Sequence, residues 1–419
     1  MLWLRHLDGN LHAQFVGRVA EISAGQRRCL DWIACDRDAD EVLAADQAVR
    51  RVEFDPASAG QVDLAPCMRR PTAQANRLIV PARNEVDTLG PAMRSRLADG
   101  YPALEVVLID DRSTDGTSAL VDAIAAEDPR VRPLHLTSLP PGWLGKLHAM
   151  SEGLRLAAGV WLLFSDADVH LEPGTLARAV SYAEARGLDH LSVLPQLRPA
   201  TWTVDVALAS FGRTGLVMAR VWLVSDPRSK VGGSVGAFGL VRRSALERSP
   251  GIEHLRLEVA DDLALGQMLK ASGARSAVAN GRGLVFIHWY RTLTELARGT
   301  EKAAALFDHR ILPAVFWTGS LAALELGPFV VALLAPFPVA RSLGLVAAAL
   351  LFGSTLWMCR FAGQRILPAI LSPLGVVINA VLLLRAAVLG KIRGGLQWRS
   401  TLYRPEELRP GRRVKAPWS

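Results

Sequence analysis

Val160-Trp161-Leu162-Leu163-Phe164-Ser165-Asp166-Ala167-Asp168-Val169-His170 is a run of large apolar residues that ends abruptly in two carboxylates spaced i, i+2. A short continuous apolar run predicts a strand covered on both faces of a sheet. Ligands of open α/β sheets bind outside the carboxyl ends of the strands. Two acids side by side at such an end repel each other unless a cation or another partner offsets them. Asp166-Ala167-Asp168 is therefore a candidate seat for a divalent metal holding a phosphate, with Mg²⁺ or Mn²⁺ favoured by the hard oxygen ligands. Alone the step is a weak signal, and a surface turn would account for it.

The flanking chain strengthens it. Arg77 to Glu85 (Arg-Leu-Ile-Val-Pro-Ala-Arg-Asn-Glu) reads as a strand running into a loop, followed by a helix over Val86 to Ala98. Leu104 to Asp111 is a second strand ending in acids, and Arg112 to Thr117 supplies the Ser, Thr and Asp that suit a helix N-cap before Ser118 to Ala126. Val131 to Leu136 is a third strand, and Trp143 to Ala158 has a Gly-containing entry and a helix. This strand-helix alternation implies a doubly wound parallel sheet. Downstream come a helix (Pro173 to Ala185), a strand (Leu191 to Leu197) and an amphipathic region (Val204 to Leu223). The Gly-rich segment Val231 to Gly239 suits close approach of backbone to a ligand. A helix over Val259 to Lys270 carries Asp261-Asp262, and a last strand (Leu284 to His288) precedes a helix over Arg291 to Phe307.

Each polar candidate has a plain structural reading beside its chemical one. Asp110-Asp111 ends a strand where a carboxylate can accept hydrogen bonds from a nucleobase or ribose; the plain reading is a helix-capping turn. Asp261-Asp262 stands in a helix's first turn, where the dipole alone stabilises anions, yet a carboxylate there can also remove a proton from an acceptor hydroxyl. Lys146, in Pro140-Pro141-Gly142-Trp143-Leu144-Gly145-Lys146, is placed either to neutralise phosphate or to end a helix in solvent. Trp143 serves equally as packing or as a stacking ring. His170 and His288 read as structural histidines.

The chain has 419 residues, enough for two or three units, and half are hydrophobic. The long apolar runs concentrate between Leu312 and Leu389, in segments Leu312 to Phe337, Leu343 to Met358 and Ile366 to Leu389. The first and third are long enough to cross a hydrocarbon core of ~30 Å at 1.5 Å per residue, and the second is marginal in length. Arg360 and Arg365 precede the third segment, and Lys391, Arg393, Arg399 and Arg404 follow it. The positive-inside rule puts both sets in the cytoplasm, which an odd number of full spans does not satisfy. Pro368 and Pro373 point to a re-entrant or kinked third segment. The net charge of +8 comes without an aromatic-interleaved basic strip or a nucleic-acid motif. The basic flanks suit an anionic membrane face instead. Cys29, Cys35, Cys67 and Cys359 show no metal spacing and no disulfide framework, as for free thiols in a reducing compartment. The N-terminus has no apolar h-region, so no cleaved signal peptide is expected. Residues Met1 to Gln74 carry plausible helices at Val19 to Ile33 and Asp36 to Arg51 and no chemistry.

Four pieces, in order, resemble the inverting family 2 glycosyltransferases with a GT-A fold. They are Ile79-Val80-Pro81-Ala82-Arg83-Asn84-Glu85, Ile109-Asp110-Asp111-Arg112-Ser113-Thr114-Asp115-Gly116-Thr117, Ser165-Asp166-Ala167-Asp168 and Ala260-Asp261-Asp262-Leu263-Ala264-Leu265. The Pro140 to Lys146 stretch and Gly394-Gly395-Leu396-Gln397-Trp398-Arg399 look like the membrane-anchored branch, which includes ceramide glucosyltransferase-like and hopanoid-associated enzymes. The resemblance implies an α/β fold, with a GT-A type doubly wound mixed sheet followed by a C-terminal transmembrane helical region. It divides the chain into an accessory segment (1–75), a catalytic domain (76–310), membrane helices (311–390) and a basic cytoplasmic tail (391–419). Pro81, Arg83 and Glu85 would line the nucleotide pocket, and Asp110 or Asp111 would contact the uracil. Asp166 would face ribose or metal, Asp168 would ligate a divalent metal on the diphosphate, and Asp262, beside Asp261, would be the base. The Gln-x-x-Arg-Trp motif of processive members is absent; His288-Trp289-Tyr290-Arg291 stands in its place, with Arg291 as the candidate for its phosphate or acceptor role.

The expected function is transfer of a sugar from a nucleotide-sugar donor, a UDP-sugar, to a membrane lipid or isoprenoid acceptor, at the bacterial inner membrane with the catalytic domain cytoplasmic. The alternatives are a nucleotidyl or phosphosugar transferase, whose Gly-rich first loop Pro81 to Glu85 lacks, and a non-catalytic membrane scaffold, against which the intact acids argue. No nucleic-acid partner is expected.

Overall fold

The computed structural model describes residues 76–307, 310–398 and 401–414. The expected helices at Val19 to Ile33 and Asp36 to Arg51, with Cys29, Cys35 and Cys67, lie outside the described residues. Cys359 is described, and it is buried and free.

The sheet starts where the apolar runs start. β1 (Asn76–Ala82), β2 (Leu104–Asp111), β3 (Val131–Leu136) and β4 (Trp161–Phe164) pair in parallel, in the order β3-β2-β1-β4. Every residue of β4 is buried, as a strand without apolar-polar alternation requires. Helices α1 (Leu89–Leu97), α2 (Thr117–Glu127) and α3 (Gly145–Leu156) link these strands. Gly153 lets α3 sit close on the sheet, because a Cβ there would come within 2.6 Å of Ile109.

The other half of the sheet breaks the parallel pattern. After β5 (His170–Leu171) and α4 (Thr175–Ala185), β6 (His190–Leu197) leads into α5 (Trp202–Ala219). β7 (Gly239–Arg242) then enters between β4 and β6, antiparallel to both. After α6 (Asp261–Ala271), β8 (Ser276–Ile287) runs parallel to β6 and antiparallel to β5. The eight-stranded sheet is therefore mixed, as the family resemblance implies, not parallel as local alternation suggests. The long excursion through α5 gives β7 room to return in the opposite sense, and strand direction leaves no mark in local periodicity.

Two boundaries also moved. β8 begins at Ser276, ahead of the expected Leu284, because Asn280-Gly281-Arg282-Gly283 interrupts the apolar pattern; the register skips there, from Pro195↔Gly281 to Gln196↔Phe286. The expected helix Arg291 to Phe307 is two pieces, α7 (Leu293–Gly299), capped by the Thr292 side chain accepting from Glu295 N–H, and a 3-10 run, Thr300–Phe307.

Among the described residues, four helices are long and apolar enough to cross a membrane: the α5 segment Trp202–Leu223, α8 (Ile311–Leu334), α9 (Pro338–Phe361) and α10 (Ser372–Arg393). The first had read as merely amphipathic. Pro368 and Pro373 do not kink one long segment; they start two helices, a short turn Leu367–Ile370 and α10, in the first-turn position that suits proline. Residues after 391 are not a loose tail. Leu396–Trp398 pairs antiparallel with Thr401–Tyr403, and Leu396, Tyr403 and Leu408 are buried in the same core cluster as Leu144, Leu147 and Ile252.

Candidate active site

The strand ends carry the polar groups. β1 and β2 are in register so that Ala82 lies beside Asp110, and the loops leaving them are laced together. Asn84, in the left-handed region at φ 54°, donates its N–H to Ser113 Oγ (3.0 Å) and accepts from Thr114 N–H (2.8 Å). Glu85 N–H donates to Thr117 Oγ1 (2.8 Å). Much of the Arg112 to Thr117 stretch thus shapes the Arg83 to Glu85 loop.

The two neighbouring acids differ. Asp111 is buried under two guanidiniums, Arg112 Nε at 2.7 Å and Arg83 at 3.7 Å. Asp110 accepts from Ser113 N–H (3.1 Å) and faces His135 Nδ1 at 3.5 Å. Gly145 makes room for Asp111, since a Cβ there would stand 2.4 Å from Asp111 Oδ2.

Lys146, in the first turn of α3, joins the next two stations. Its ammonium lies 2.8 Å from Asp166 Oδ1 and 2.8 Å from Asp261 Oδ2. Burial by itself would depress this ammonium, but Asp166, Asp261 and Asp262 outweigh it and hold it well above its ordinary value. Lys146 is thus engaged by carboxylates, where the sequence suggested a free cation for phosphate.

Asp168 lies beyond that bridge. Burial, and then the charges of Asp166 and Glu85, push its carboxyl up to about 7. This excess of negative charge is what a divalent cation would relieve. Among the described residues no three His, Cys, Asp or Glu side chains converge as a metal cage. Two carboxylates with the remaining positions left to phosphate and water match the usual Mg²⁺ mode, so Asp166 and Asp168 fit the expected metal.

Asp262 sits in the first turn of α6, where Gly236 N–H (2.9 Å) and Leu263 N–H (2.7 Å) donate to its two oxygens. Burial, followed by the Asp261 charge, raises its pKa. The Gly-rich segment brings backbone close to these carboxylates, and Gly236 N–H is one of the donors. Pro81, Lys146, Asp166, Gly236, Asp261 and Asp262 line one open cavity of about 320 Å³. A Cβ on Gly236 would stand 2.5 Å from Asp166 Oδ2. Gly236→Ala is expected to displace Asp166 and cut turnover about 10²-fold, the effect of misplacing a positioned group by ~1 Å. Steady-state assay beside an unchanged circular dichroism spectrum checks it.

The structure adds two residues to which the sequence assigned no role of their own. Arg96, fully buried on α1, donates through Nε to Val169 O (2.9 Å) and through its other end to Asp166 O, holding the Asp166 to Val169 turn from beneath. In sequence it is one arginine in a helix. Tyr290, packed against Val204, Leu208 and Leu296, is pushed up to about 12 by burial and then by the charges of Asp168 and Asp166. Arg291 is separate from the cavity. It is exposed, just beyond β8; burial and then the charge of Arg291 depress His288, and burial and then Arg198 depress His170. Trp143 is a packing residue: its ring meets His148 edge-on at 5.6 Å, and Tyr403 donates to its carbonyl.

A mixed, helix-covered sheet with acids at the carboxyl ends of β2 and β4, on either side of β1, is a GT-A-like fold. Residues 78–248 match the model of Glycosyl transferase family 2. Over 121 residues it is 38% identical to succinoglycan biosynthesis protein ExoO of Rhizobium meliloti, covering 28% of this chain and 33% of that one. Over 132 residues it is 34% identical to undecaprenyl-phosphate mannosyltransferase of Micrococcus luteus, covering 32% of this chain and 46% of that one. The matches thus span a third to a half of these relatives' lengths. Among solved structures, mannosyltransferase PcManGT from Pyrobaculum calidifontis, in complex with GDP-Man and Mn²⁺, aligns at TM-score 0.47 and 19% identity, covering 89% of this chain and 97% of that one.

Proposed function

We propose that the protein is a membrane-associated, inverting glycosyltransferase that moves a sugar from a nucleotide-sugar, a UDP-sugar, to a lipid or isoprenoid acceptor. The observation that carries this reading is the line of acids at one edge of the sheet, Asp168 and Asp166 joined through Lys146 to Asp261 and Asp262. In this reading the nucleoside binds over the Arg83 and Asp110 loops, whose cross-hydrogen bonds pre-organise them. Asp166 and Asp168 would hold a divalent cation. When bound, that cation offsets the charge developing on the leaving nucleoside diphosphate. Lys146 fixes the Asp166 carboxylate, and Asp262 takes the proton from the acceptor hydroxyl as its oxygen attacks the anomeric carbon. Arg291, with Arg198, offers positive charge on the acceptor side. The apolar helices and a lipid-phosphate relative support a membrane-dissolved acceptor. We place the catalytic domain in the bacterial cytoplasm at the inner membrane, with 1–75 an accessory segment, because the arginines flanking the helices favour that side.

Calorimetric titration of detergent-solubilised protein with UDP and GDP tests the donor half. Mn²⁺ is expected to tighten nucleotide binding at least about tenfold, with EDTA reversing it, as for phosphate held through a carboxylate-bound ion. Equal affinity with and without Mn²⁺ would remove the metal from the account.

A further inference from the structure

Four apolar helices suggest four crossings, but the hydrogen bonds at their ends say otherwise. α5 starts on the sheet unit, where Thr201 N–H donates to Arg291 O (3.4 Å). It also ends there: Lys270 of α6 donates its ammonium to Val224 O (2.7 Å) and Asp226 O (2.9 Å). α10 is tied at both ends too. Arg365, ahead of the short turn that leads into it, reaches Asp205 in the first turn of α5 at 3.3 Å, and Arg393, its last residue, reaches Glu301 at 2.6 Å. Leu396 is then in the core. A helix with both ends bound to one folded unit does not deliver the chain to the opposite side of a bilayer.

α8 and α9 differ. α8 leaves the sheet unit beyond Ala305, whose carbonyl accepts from Arg412. α9 returns to it, with Asn280 donating to Phe361 O (2.9 Å), Arg282 to Arg360 O (2.8 Å) and Gln196 to Gly363 O (2.8 Å). Between those anchors are two helices of 24 residues each, ~36 Å long at 1.5 Å per residue against a hydrocarbon core of ~30 Å. The tip is bare: Leu333 and Leu334 are each 75% exposed, Phe337 71% and Val339 73%. A contiguous apolar surface of this kind marks a membrane or protein contact, and its length matches a bilayer.

We propose that α8 and α9 alone cross the membrane, as a hairpin, while α5 and α10 stay on the catalytic side at the interface, giving two crossings. This does not depend on the donor or acceptor. An even count returns the chain to the side it left. Arg360, Arg365, Lys391 and Arg393 then share one face of the membrane, and the tip carries Arg341, folded onto Ala335 O (3.0 Å). That distribution satisfies the positive-inside rule. Trp202 and Trp222, at the two ends of the α5 segment and 45% and 42% exposed, lie at one interface, where half-buried indoles concentrate. Glu325, the one acid of α8, is met by Arg213 of α5 and by the Thr214 hydroxyl at 3.0 Å. Pairing lowers the cost of an ionised group among lipid-facing helices.

Single cysteines at the tip (Pro336→Cys), after α5 (Ser225→Cys) and in the C-terminal turn (Glu406→Cys), in full-length protein with its four cysteines replaced by serine, test this. A membrane-impermeant maleimide is applied to sealed vesicles of both orientations. The expected result is labelling of 336 from the face opposite to that of 225 and 406. Labelling of all three from one face would overturn the crossing, and labelling of 225 from the tip's face would overturn the placement of α5. If the serine background misfolds, a protease site inserted after Pro336 in the otherwise native chain gives the same reading. Cleavage only from the face opposite the catalytic unit supports two crossings, and cleavage from the catalytic face overturns them.

Discussion

Asp262→Asn is expected to lower kcat about 10³-fold and leave the donor KM within about twofold, the pattern of losing a group needed only as the acceptor is deprotonated. The amide keeps the shape, but its single oxygen accepts from Gly236 N–H or Leu263 N–H and not from both, so one of the two bonds at the α6 start is lost, and it cannot take a proton. Asp261 is a poor substitute because its oxygen is 2.8 Å from the Lys146 ammonium. The pH dependence has a definite sign. A carboxylate base works when ionised, and burial and Asp261 raise the Asp262 pKa. Wild-type kcat should therefore fall as pH drops through that raised pKa, at a higher pH than an ordinary aspartate would give, and be flat above it. The residual activity of Asp262→Asn should lack this limb. Steady-state kinetics from pH 5 to 8 read both, and an Asp262→Asn enzyme with near-wild-type kcat would assign the base elsewhere.

Lys146→Met should be the most damaging change to the site's architecture. It removes the ammonium that lies 2.8 Å from both Asp166 and Asp261 and so weakens the balance of charge among four carboxylates, Asp166, Asp168, Asp261 and Asp262. Breaking a buried ion pair costs about 3–5 kcal/mol. Asp166 is 36% exposed, so water relieves part of that, and about 2–3 kcal/mol is the better expectation. For a unit of this size that is ~5–10 °C in melting temperature. Turnover should fall about 10²-fold or more as Asp166 loses its fixed position. Thermal unfolding in detergent, with and without Mn²⁺, checks the stability term, and the loss should shrink with Mn²⁺ present. An unchanged melt would mean that Lys146 is an exposed cation.

The first half of the sheet was legible because buried parallel strands leave continuous apolar runs, and Leu104 to Asp111 and Val160 to Phe164 needed little else. β7 and the start of β8 were not, since Gly239–Arg242 is four residues long and Asn280 to Gly283 breaks the apolar run. Strand ends in acids marked Asp110-Asp111 and Asp166-Ala167-Asp168, and the helix start marked Asp261-Asp262. Their division of labour was less visible. That Asp111 lies under Arg83 and Arg112, and that Lys146 holds carboxylates, depends on contacts between strands distant in sequence. Arg96 shows the limit of local pattern, because only burial against the Asp166 to Val169 turn gives it a role. The apolar segments were plain, but composition could not say which of them leave the catalytic unit. The arginine distribution held that information as a parity problem, which the end contacts of α5 and α10 resolve.

The central claim is that Asp168 and Asp166 serve metal-assisted breakage of a nucleotide-sugar. The most direct test is release of nucleoside diphosphate from a panel of UDP- and GDP-sugars by full-length protein in lipid nanodiscs, with and without Mn²⁺, beside Asp168→Ala. The account predicts Mn²⁺-dependent release from at least one donor, abolished by EDTA and reduced at least about 10³-fold in Asp168→Ala, the scale of removing a metal's charge stabilisation. Release that persists undiminished in Asp168→Ala, or no release from any donor, would contradict it.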